Sequence, residues 1–518
     1  MHHTPVLIVG GSLVGLSASL FLSLRGVPHV MVEKHAGSAP HPRAMGFTEH
    51  TLEYFRACGL DSAIPQTPPE TRLRRVTAES LAGAWGEVLP WTPGEHETPP
   101  GTFSPCTGAA IAQDRLEPIL REATLARGAD LRYGHRLLQW RQAADGVVAV
   151  LENGSTGERH EIHARYLLAC DGADSPVREQ LGIARHGVGH LRTLRSVLFR
   201  CEQADAYLAR GVQQFQITQP DLQAFLTTYG DGRWVLMFND DQPRSDDELL
   251  QAVRSALGAD MPVQLLATGR WEMAGRIAEC YRDGSVFLLG DAAHQLPPTR
   301  GGFGANTGID DAWNLAWKLQ LVLAGVSAPA LLDSYSDERQ PIGWLRHQQT
   351  FARPDYARWV SAPVNAVLYG NAAMELGQLQ RSPVVIGAGA ELPPAAAPDA
   401  WKGQPGTRAP HVWVRKAGAR VSTVDLFVQH FTLVSGSQRW LRAAREAAVG
   451  LGLPLDVLAL GGDIQTDDDA AFRDAFGIGP EGATLVRPDG VVAWRQQQAG
   501  DEATAMMESV LRTVACID

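Results

Sequence analysis

The chain has 518 residues, of which 45% are hydrophobic and 20% are charged, and its formal net charge is −11. A chain of this length is too long to fold around a single hydrophobic core, so we expect a globular protein of two or three domains. The net negative charge argues against nucleic acid or an anionic membrane as a partner, because both bind basic surfaces. The six cysteines show neither disulfide-framework nor metal-ligand spacing, which fits a reducing cytoplasm.

The N-terminal pattern predicts a strand, a turn and a helix. Residues 5–9 form the continuous apolar run of a buried parallel strand, and residues 14–24 then have helical length up to Gly26. A second strand is expected at residues 29–32, ending in Glu33. Because glycines interrupt this apolar stretch, we do not expect a signal peptide or a membrane span.

Later segments extend this pattern. Strands are predicted at residues 164–170 and 285–289, each ending at an Asp-Gly or Gly-Asp pair, and apolar residues at helical spacing predict a helix over residues 308–323. Between them the chain reads as an inserted antiparallel sheet, with strands at residues 194–201, 215–218, 224–229 and 234–238. Residues 391–410 resemble a linker, and strands and helices alternate again in residues 423–518.

Three turns carry the chemistry. Residues 10–15, Gly-Gly-Ser-Leu-Val-Gly, let the backbone approach a pyrophosphate at a helix start, while Glu33 would accept hydrogen bonds from a ribose. Residues 170–175, Cys-Asp-Gly-Ala-Asp-Ser, follow the third strand. Residues 290–308 combine Gly-Asp with a glycine-rich run that suits a flavin ring at a helix start. Each could be a plain turn, but three in this order favour nucleotide binding.

With these three turns in this order, residues 6–339 resemble the single-component FAD-dependent aromatic hydroxylases typified by para-hydroxybenzoate hydroxylase. The resemblance implies non-covalent FAD, NAD(P)H as a transient co-substrate, and O2 activated as a C4a-hydroperoxyflavin. Asp171 would serve both FAD and the nicotinamide cofactor, and Ser12 departs from the usual glycine. The implied FAD-binding residues are Gly10, Ser12, Leu13, Val14, Gly15, Glu33, Lys34, Arg43, Gln113, Asp171, Asp291, Pro298, Gly301, Gly302, Gly304, Ala305 and Asn306.

The tail narrows this resemblance. Residues 405–411 and 483–490 are similar to the aklavinone hydroxylases and phenol hydroxylase-like enzymes, which implies a thioredoxin-like C-terminal domain. The tail has no Cys-x-x-Cys, so dithiol chemistry is not expected, and packing or dimerisation is the favoured role. Whether the chain forms a homo-oligomer is left open.

The predicted fold class is α/β, in three domains. A Rossmann-like FAD-binding domain comprises residues 1–185 and 276–350. An antiparallel-sheet substrate-binding domain comprises residues 186–275 with 351–395, and the thioredoxin-like domain comprises residues 396–518.

The expected function is an NAD(P)H-dependent flavoprotein monooxygenase that hydroxylates a phenolic, hydroxypyridine or polyketide-type aromatic, in secondary metabolism or aromatic catabolism. No metal is predicted and no catalytic base is assigned. Strand alternation means that some candidate substrate contacts must face away. The alternatives are a Baeyer–Villiger oxygenase, a flavin reductase without oxygen insertion, and a non-catalytic FAD-fold binding protein. The candidate contacts are Phe215, Tyr229, Trp234, Met237, Phe238, Pro298 and, from the resemblance, Arg381.

Overall fold

The computed structural model describes residues 2–41, 43–71, 74–89, 98–297, 303–357, 359–498 and 502–517, and these form a mixed α/β fold. Within these ranges, no helix is long and apolar enough to cross a membrane.

The strands, in chain order, are β1 (His2–Val9), β2 (His29–Glu33), β3 (Gly46–Phe47), β4 (Arg75–Ala78), β5 (Trp85–Leu89), β6 (Ala109–Ala110), β7 (Asp130–Tyr133), β8 (His135–Ala143), β9 (Gly146–Asn153), β10 (Arg159–Ala169), β11 (Arg185–Arg200), β12 (Gln214–Thr218), β13 (Gln223–Thr228), β14 (Arg233–Phe238), β15 (Gln264–Ala278), β16 (Arg282–Asp283), β17 (Val286–Leu288), β18 (His294–Gln295), β19 (Trp413–Lys416), β20 (Ala419–Ser422), β21 (Phe431–Ser435), β22 (Leu455–Ala459), β23 (Ile464–Gln465), β24 (Ala483–Val486) and β25 (Val492–Gln496).

The helices are α1 (Leu13–Leu24), α2 (Glu49–Ala57), α3 (Gln113–Leu125), α4 (Pro176–Leu181), α5 (Asp246–Leu257), α6 (Phe303–Leu323), α7 (Asp333–Phe351), α8 (Pro354–Ala357), α9 (Asn371–Leu376), α10 (Pro398–Trp401), α11 (Gln438–Leu451), α12 (Asp469–Phe476) and α13 (Ala503–Ala515).

The first sheet has a parallel centre, with strand order β16-β17-β10-β1-β2-β7. Val9 at the end of β1 is in register with Val32 of β2 and Ala169 of β10, and Ala169 is in register with Leu288 of β17. The carboxyl ends of these four strands therefore meet at one edge, where open α/β sheets bind their ligands. This is the predicted nucleotide-binding arrangement.

The second sheet runs β18-β15-β11-β14-β13-β12-β4-β5 and is antiparallel except where β4 pairs with β12. The inserted strands predicted between residues 185 and 276 are all present. The predicted domain boundary needs a correction, because β4 and β5 belong to this sheet although residues 1–185 were assigned to the FAD-binding domain. The parallel pairing of Arg75–Ala78 with β12 had no local sequence signal.

The tail has a four-stranded sheet of order β22-β21-β24-β25, in which only β21 and β22 are parallel. One part of the tail shares a continuous apolar core with the first sheet, and Phe431 meets the Trp317 ring edge-on at 5.6 Å. The predicted assignment of residues 351–395 to the substrate-binding domain also needs a correction, because this segment packs on α7 and on the tail. Within it, α9 packs on Leu345 of α7, and Ile386 donates its N–H to the tail at Ala493 O.

Candidate active site

The glycine turn after β1 packs directly against the second turn. Gly10 has φ +104°, and a Cβ there would lie 2.1 Å from Cys170 O, so only glycine fits. The Gly11 N–H donates to Glu33 Oε2 at 2.7 Å, which ties the turn to the end of β2. Glu33 retains lone pairs for a ribose hydroxyl, and Lys34 lies exposed beside it.

The start of α1 is open to an anion. The Ser12 side chain makes no capping hydrogen bond, and the first turn contains no acidic residue. The first amides of a helix lack partners within the helix and carry its positive end. The turn formed by Leu13, Val14 and Gly15 can therefore receive a pyrophosphate.

Gln113 joins two predicted FAD positions. Its Nε2 donates to Ser12 Oγ at 2.9 Å and to Glu117 Oε1 at 2.8 Å, and its Oε1 accepts the N–H groups of Arg43 and Ala44 at 3.3 Å. Ser12 Oγ also donates to Glu117 at 2.7 Å. Sequence reasoning missed Glu117, although its spacing of four residues from Gln113 places both on one face of α3.

Asp171 and Asp291 supply two acceptors at the same sheet edge. The Oδ2 atom of Asp171 accepts the Val177 N–H at 3.3 Å, whereas its buried Oδ1 has no hydrogen-bond partner among the described residues. Burial raises the pKa of the Asp171 carboxyl. Asp291 is exposed to solvent, yet the protein around it also raises its pKa, against the opposing effects of His294 and Arg43. This combination describes a carboxylate within a cleft.

The second and third turns are held together by Arg178. Its buried guanidinium donates from Nη1 to Ala173 O at 3.0 Å and to Ala292 O at 3.1 Å. Gly290 has φ +59°, and a Cβ there would lie 2.9 Å from Val14 Cγ2. All three turns therefore converge on the start of α1.

Helix α6 begins at Phe303, five residues before the predicted start. Asn306 accounts for this extension, because its Oδ1 accepts from Thr48 N at 3.1 Å and Thr51 Oγ1 at 2.7 Å. Its Nδ2 donates to Gly46 O at 3.2 Å, so this side chain positions the start of α2. Gly304 and Ala305 lie in the first turn, which has no acidic residue. Pro298, Gly301 and Gly302 lie outside the described residues.

His294 has a structural environment. Its Nε2 is 2.7 Å from Asp311 Oδ2, which also accepts the Gly290 N–H at 3.2 Å, while Arg339 Nε donates to Asp311 Oδ1 at 2.8 Å. Although burial favours the neutral acid, His294 and Arg339 hold the pKa of Asp311 below its ordinary value. This buried group fixes the Gly290 turn to α6.

One face of the second sheet is open and the other is packed. Phe215, Trp234 and Phe238 belong to a buried core that includes Leu249 and Val253 of α5. Their expected contact with substrate is therefore corrected, because they lie on the face that α5 covers. Alternation along each strand puts their neighbours on the opposite face.

The open face carries a row of residues across five strands. Gln216, Phe225, Met237, Ser196 and Gly269 are consecutive cross-strand partners on β12, β13, β14, β11 and β15. His41 lies at one end of this row, with its Nε2 3.0 Å from Ser196 Oγ. Of the apolar contacts predicted on β14, Met237 lies on the open face; alternation had indicated that some candidates must face away, but not which ones.

Two further candidates lie elsewhere. Tyr229 follows β13 and packs against Arg233, whose Nη1 donates to Asp114 of α3 at 2.6 Å. It therefore lies at the junction of the second sheet with α3. Arg381 donates to the backbone carbonyls of Gly389 and Leu392, so its described hydrogen bonds hold its own loop.

Comparison with known proteins decides the family. A profile described as "FAD binding domain" matches residues 3–350, and one described as "Aromatic-ring hydroxylase, C-terminal" matches residues 402–515. The chain belongs to the FAD-binding aromatic-ring hydroxylases. The tetracenomycin A2 monooxygenase-dioxygenase of Streptomyces glaucescens is 38% identical to this hydroxylase, with 99% of this chain and 97% of that protein covered.

Other relatives agree with this assignment. The 4-methyl-5-nitrocatechol 5-monooxygenase of a Burkholderia species is 36% identical, covering 99% of this chain and 97% of that protein. Among solved structures, a ternary complex of aklavinone-11 hydroxylase with FAD and aklavinone superposes with a TM-score of 0.88, at 34% identity and 99% coverage of both chains.

The residues of this hydroxylase fit FAD. The start of α1, where Ser12 makes no capping hydrogen bond, suits the pyrophosphate, and the first turn of α6, which has no acidic residue, suits the flavin ring. The partnerless Oδ1 of Asp171 is an acceptor directed at no described protein group. In the described part of the chain, no group of three or more His, Cys, Asp or Glu side chains could hold a metal ion.

Proposed function

We propose that this hydroxylase is an NAD(P)H-dependent monooxygenase that inserts one oxygen atom from O2 into a phenolic or polyketide-type aromatic compound. Secondary-metabolite biosynthesis and a cytoplasmic location fit this activity. The tail is proposed to be a thioredoxin-like domain without redox function.

The observation that carries the proposal is the position of His41 and of residues 43–47. His41 contacts Ser196 on the open sheet face, the Arg43 N–H donates to Gln113 in the glycine-turn network, and Gly46 O accepts from Asn306 at the start of α6. One short segment thus borders both the open face and the dinucleotide cleft. An aromatic ring on that face would lie beside the flavin.

The roles of the residues follow from this placement. The α1 amides and Glu33 would hold the pyrophosphate and ribose, Asp291 the ribityl hydroxyls, and the start of α6 the flavin ring. FAD, when bound, supplies the two-electron chemistry that O2 requires. NAD(P)H is proposed to visit near Asp171, because one dinucleotide cleft cannot hold both nucleotides permanently.

The open face favours an aromatic with polar substituents. Phe225 and Met237 offer apolar contact, while Gln216 and Ser196 offer hydrogen bonds to ring oxygens. A guanidinium also lies near, since Arg75 stacks on the Phe225 ring at 4.8 Å. Relatives are named for tetracenomycin A2 and for a nitrocatechol, which is a single-ring phenol.

The test is a screen of phenols, hydroxypyridines and polycyclic hydroxyquinones for stimulated NAD(P)H consumption, followed by turnover under labelled dioxygen. We expect slow oxidation of NAD(P)H alone and faster oxidation with a substrate, because closure around substrate should precede reduction. The product should gain one labelled oxygen, ortho or para to an existing hydroxyl. An unlabelled product would contradict oxygen insertion from O2. Structural assignment of the product separates hydroxylation from Baeyer–Villiger insertion.

A further inference from the structure

A hairpin turn of the tail is buried inside the FAD-binding domain. Residues 487–490, Arg-Pro-Asp-Gly, connect β24 to β25, and the Gly490 N–H closes the turn on Arg487 O at 2.9 Å. Arg487 is fully buried and Asp489 is 7% exposed. Burying two charged side chains at a turn requires partners of opposite charge. Arg487 Nε donates to Asp489 Oδ1 within the turn at 3.0 Å, and a second carboxylate, that of Glu338, comes from outside the tail.

The turn contacts the two helices whose starts face the cofactor cleft. At the C-terminal end of α1, Arg25 Nη2 donates to Pro488 O at 3.0 Å. In the middle of α6, Trp313 Nε1 donates to Asp489 O at 3.1 Å, and Asn314 Nδ2 lies 3.4 Å from Asp489 Oδ2. The tail therefore joins the end of α1 and the middle of α6 through one turn.

Helix α7 completes the buried network. Arg487 donates to both carboxylate oxygens of Glu338, at 2.6 and 2.9 Å, and Lys318 Nζ of α6 donates to Glu338 Oε2 at 2.8 Å. Ser382 Oγ donates to Glu338 Oε1 at 2.6 Å. Although burial penalises its charge, Arg487 and Lys318 hold the pKa of Glu338 well below its ordinary value. The positive charges of Arg487 and Lys318 balance the negative charges of the Glu338 and Asp489 carboxylates.

We propose that Arg487 is a positioning residue for FAD: the tail turn fixes the relative placement of α1 and α6, and with it the two helix starts that receive the pyrophosphate and the flavin ring. The turn touches neither cofactor nor substrate and acts through the helices. This gives the tail a role in cofactor binding beyond packing or dimerisation. The inference rests on FAD binding and not on the proposed hydroxylation.

The test is FAD affinity, measured by titrating apoprotein and following flavin fluorescence, with the thermal midpoint of the apoprotein recorded for each variant. Arg487→Met keeps much of the side-chain volume but removes the charge and every hydrogen bond. We expect at least a tenfold weaker FAD affinity and faster FAD release. The double variant Glu338→Gln/Arg487→Met removes the unbalanced carboxylate charge, and we expect it to recover thermal stability without recovering FAD affinity.

The control is Phe472→Ala, which opens a cavity in a separate apolar core of the tail and removes no group of the Arg487 hydrogen-bond network. It should lower the thermal midpoint with less than a threefold change in FAD affinity. Equal FAD affinity for the Arg487→Met and Phe472→Ala proteins at similar stability would overturn the proposal. If Arg487→Met is insoluble, Trp313→Phe replaces it, since it removes the N–H donated to Asp489 O together with part of a ring that packs on Phe21 and Tyr54. Wild-type FAD affinity in that variant would then count against the proposal.

Discussion

At the scale of single residues, Asp291 shows how burial and exposure combine in a cleft. The residue as a whole is exposed, but burial among the surrounding protein raises the pKa of its carboxyl. Asp291→Ala removes an acceptor for ribityl hydroxyls, which should cost about 1–3 kcal/mol of FAD binding. Titration of apoprotein with FAD measures this loss.

Asp283→Ala is the matched control for this substitution, because Asp283 is an exposed carboxylate in β16 of the same sheet. It should bind FAD as the wild type does. If Asp291→Ala also retained full affinity, Asp291 would have no role in holding the cofactor.

Glu375 is a second informative residue, since it lines a small buried polar cavity with His50, Tyr54 and Asp310. Burial raises the pKa of Glu375 from 4.5 to about 7, although Asn371 Nδ2 donates to it at 2.9 Å. The folded protein therefore holds a proton that the unfolded chain releases between pH 4.5 and 7. The stability contributed by this group is complete below pH 4.5 and is lost as the pH rises to 7.

Glu375→Gln should remove this pH-dependent loss while keeping an acceptor for Asn371. The variant should be more stable than the wild type at pH 8, by about 1–3 kcal/mol, with the difference vanishing near pH 4.5. Denaturant unfolding at the two pH values measures the effect. A difference that is equal at both pH values would show that the carboxyl does not titrate as described.

At the scale of elements, β14 carries core residues on one face and candidate substrate contacts on the other. Leu236 is fully buried against α5, whereas its neighbour Met237 lies on the open face. Met237→Ala should raise the KM for the aromatic substrate several-fold with little change in stability. Leu236→Ala should lower stability by about 2–5 kcal/mol and leave KM nearly unchanged. The reverse pattern would mean that the substrate lies on the α5 side.

The same strand shows what sequence could and could not predict. Alternation on β14 predicted that the strand has two faces. Which face is buried depends on α5, and the sequence does not show on which face of the sheet α5 packs. The first βαβ unit was predictable because its apolar runs and glycines act locally. The early start of α6 was not, because Asn306 depends on Gly46, Thr48 and Thr51, more than 250 residues earlier.

The buried ions of the tail turn gave no usable signal at all. Arg-Pro-Asp-Gly reads as an ordinary exposed turn, since charged residues at turns are usually solvated. Its partner Glu338, and Lys318 which also donates to Glu338, lie about 150 residues or more away, on helices whose relative placement only the fold sets. The three turns, by contrast, were predictable because each follows an apolar strand of one sheet.

At the scale of the whole molecule, the main apolar core extends across the predicted domain boundaries. Part of the tail shares its core with the first sheet, and the Arg408 guanidinium pairs with Glu53 of α2 through Nε at 2.8 Å. The second sheet likewise recruits β4 and β5 from a distant part of the chain. These shared surfaces should make the parts unfold together and not as independent modules.

The buried tail turn also bears on the order of events during synthesis. Helices α1 and α6 leave the ribosome long before residues 487–489, which follow the end of α6 by more than 160 residues. Domains generally fold as the chain emerges, N-terminal parts first. Here α1 would emerge from the ribosome before residues 487–490, which hold its C-terminal end in place, have been synthesised. If the tail turn positions the two helix starts, flavin loading would be an event of the nearly finished polypeptide, and a chain that ends before the last hairpin should hold FAD more weakly.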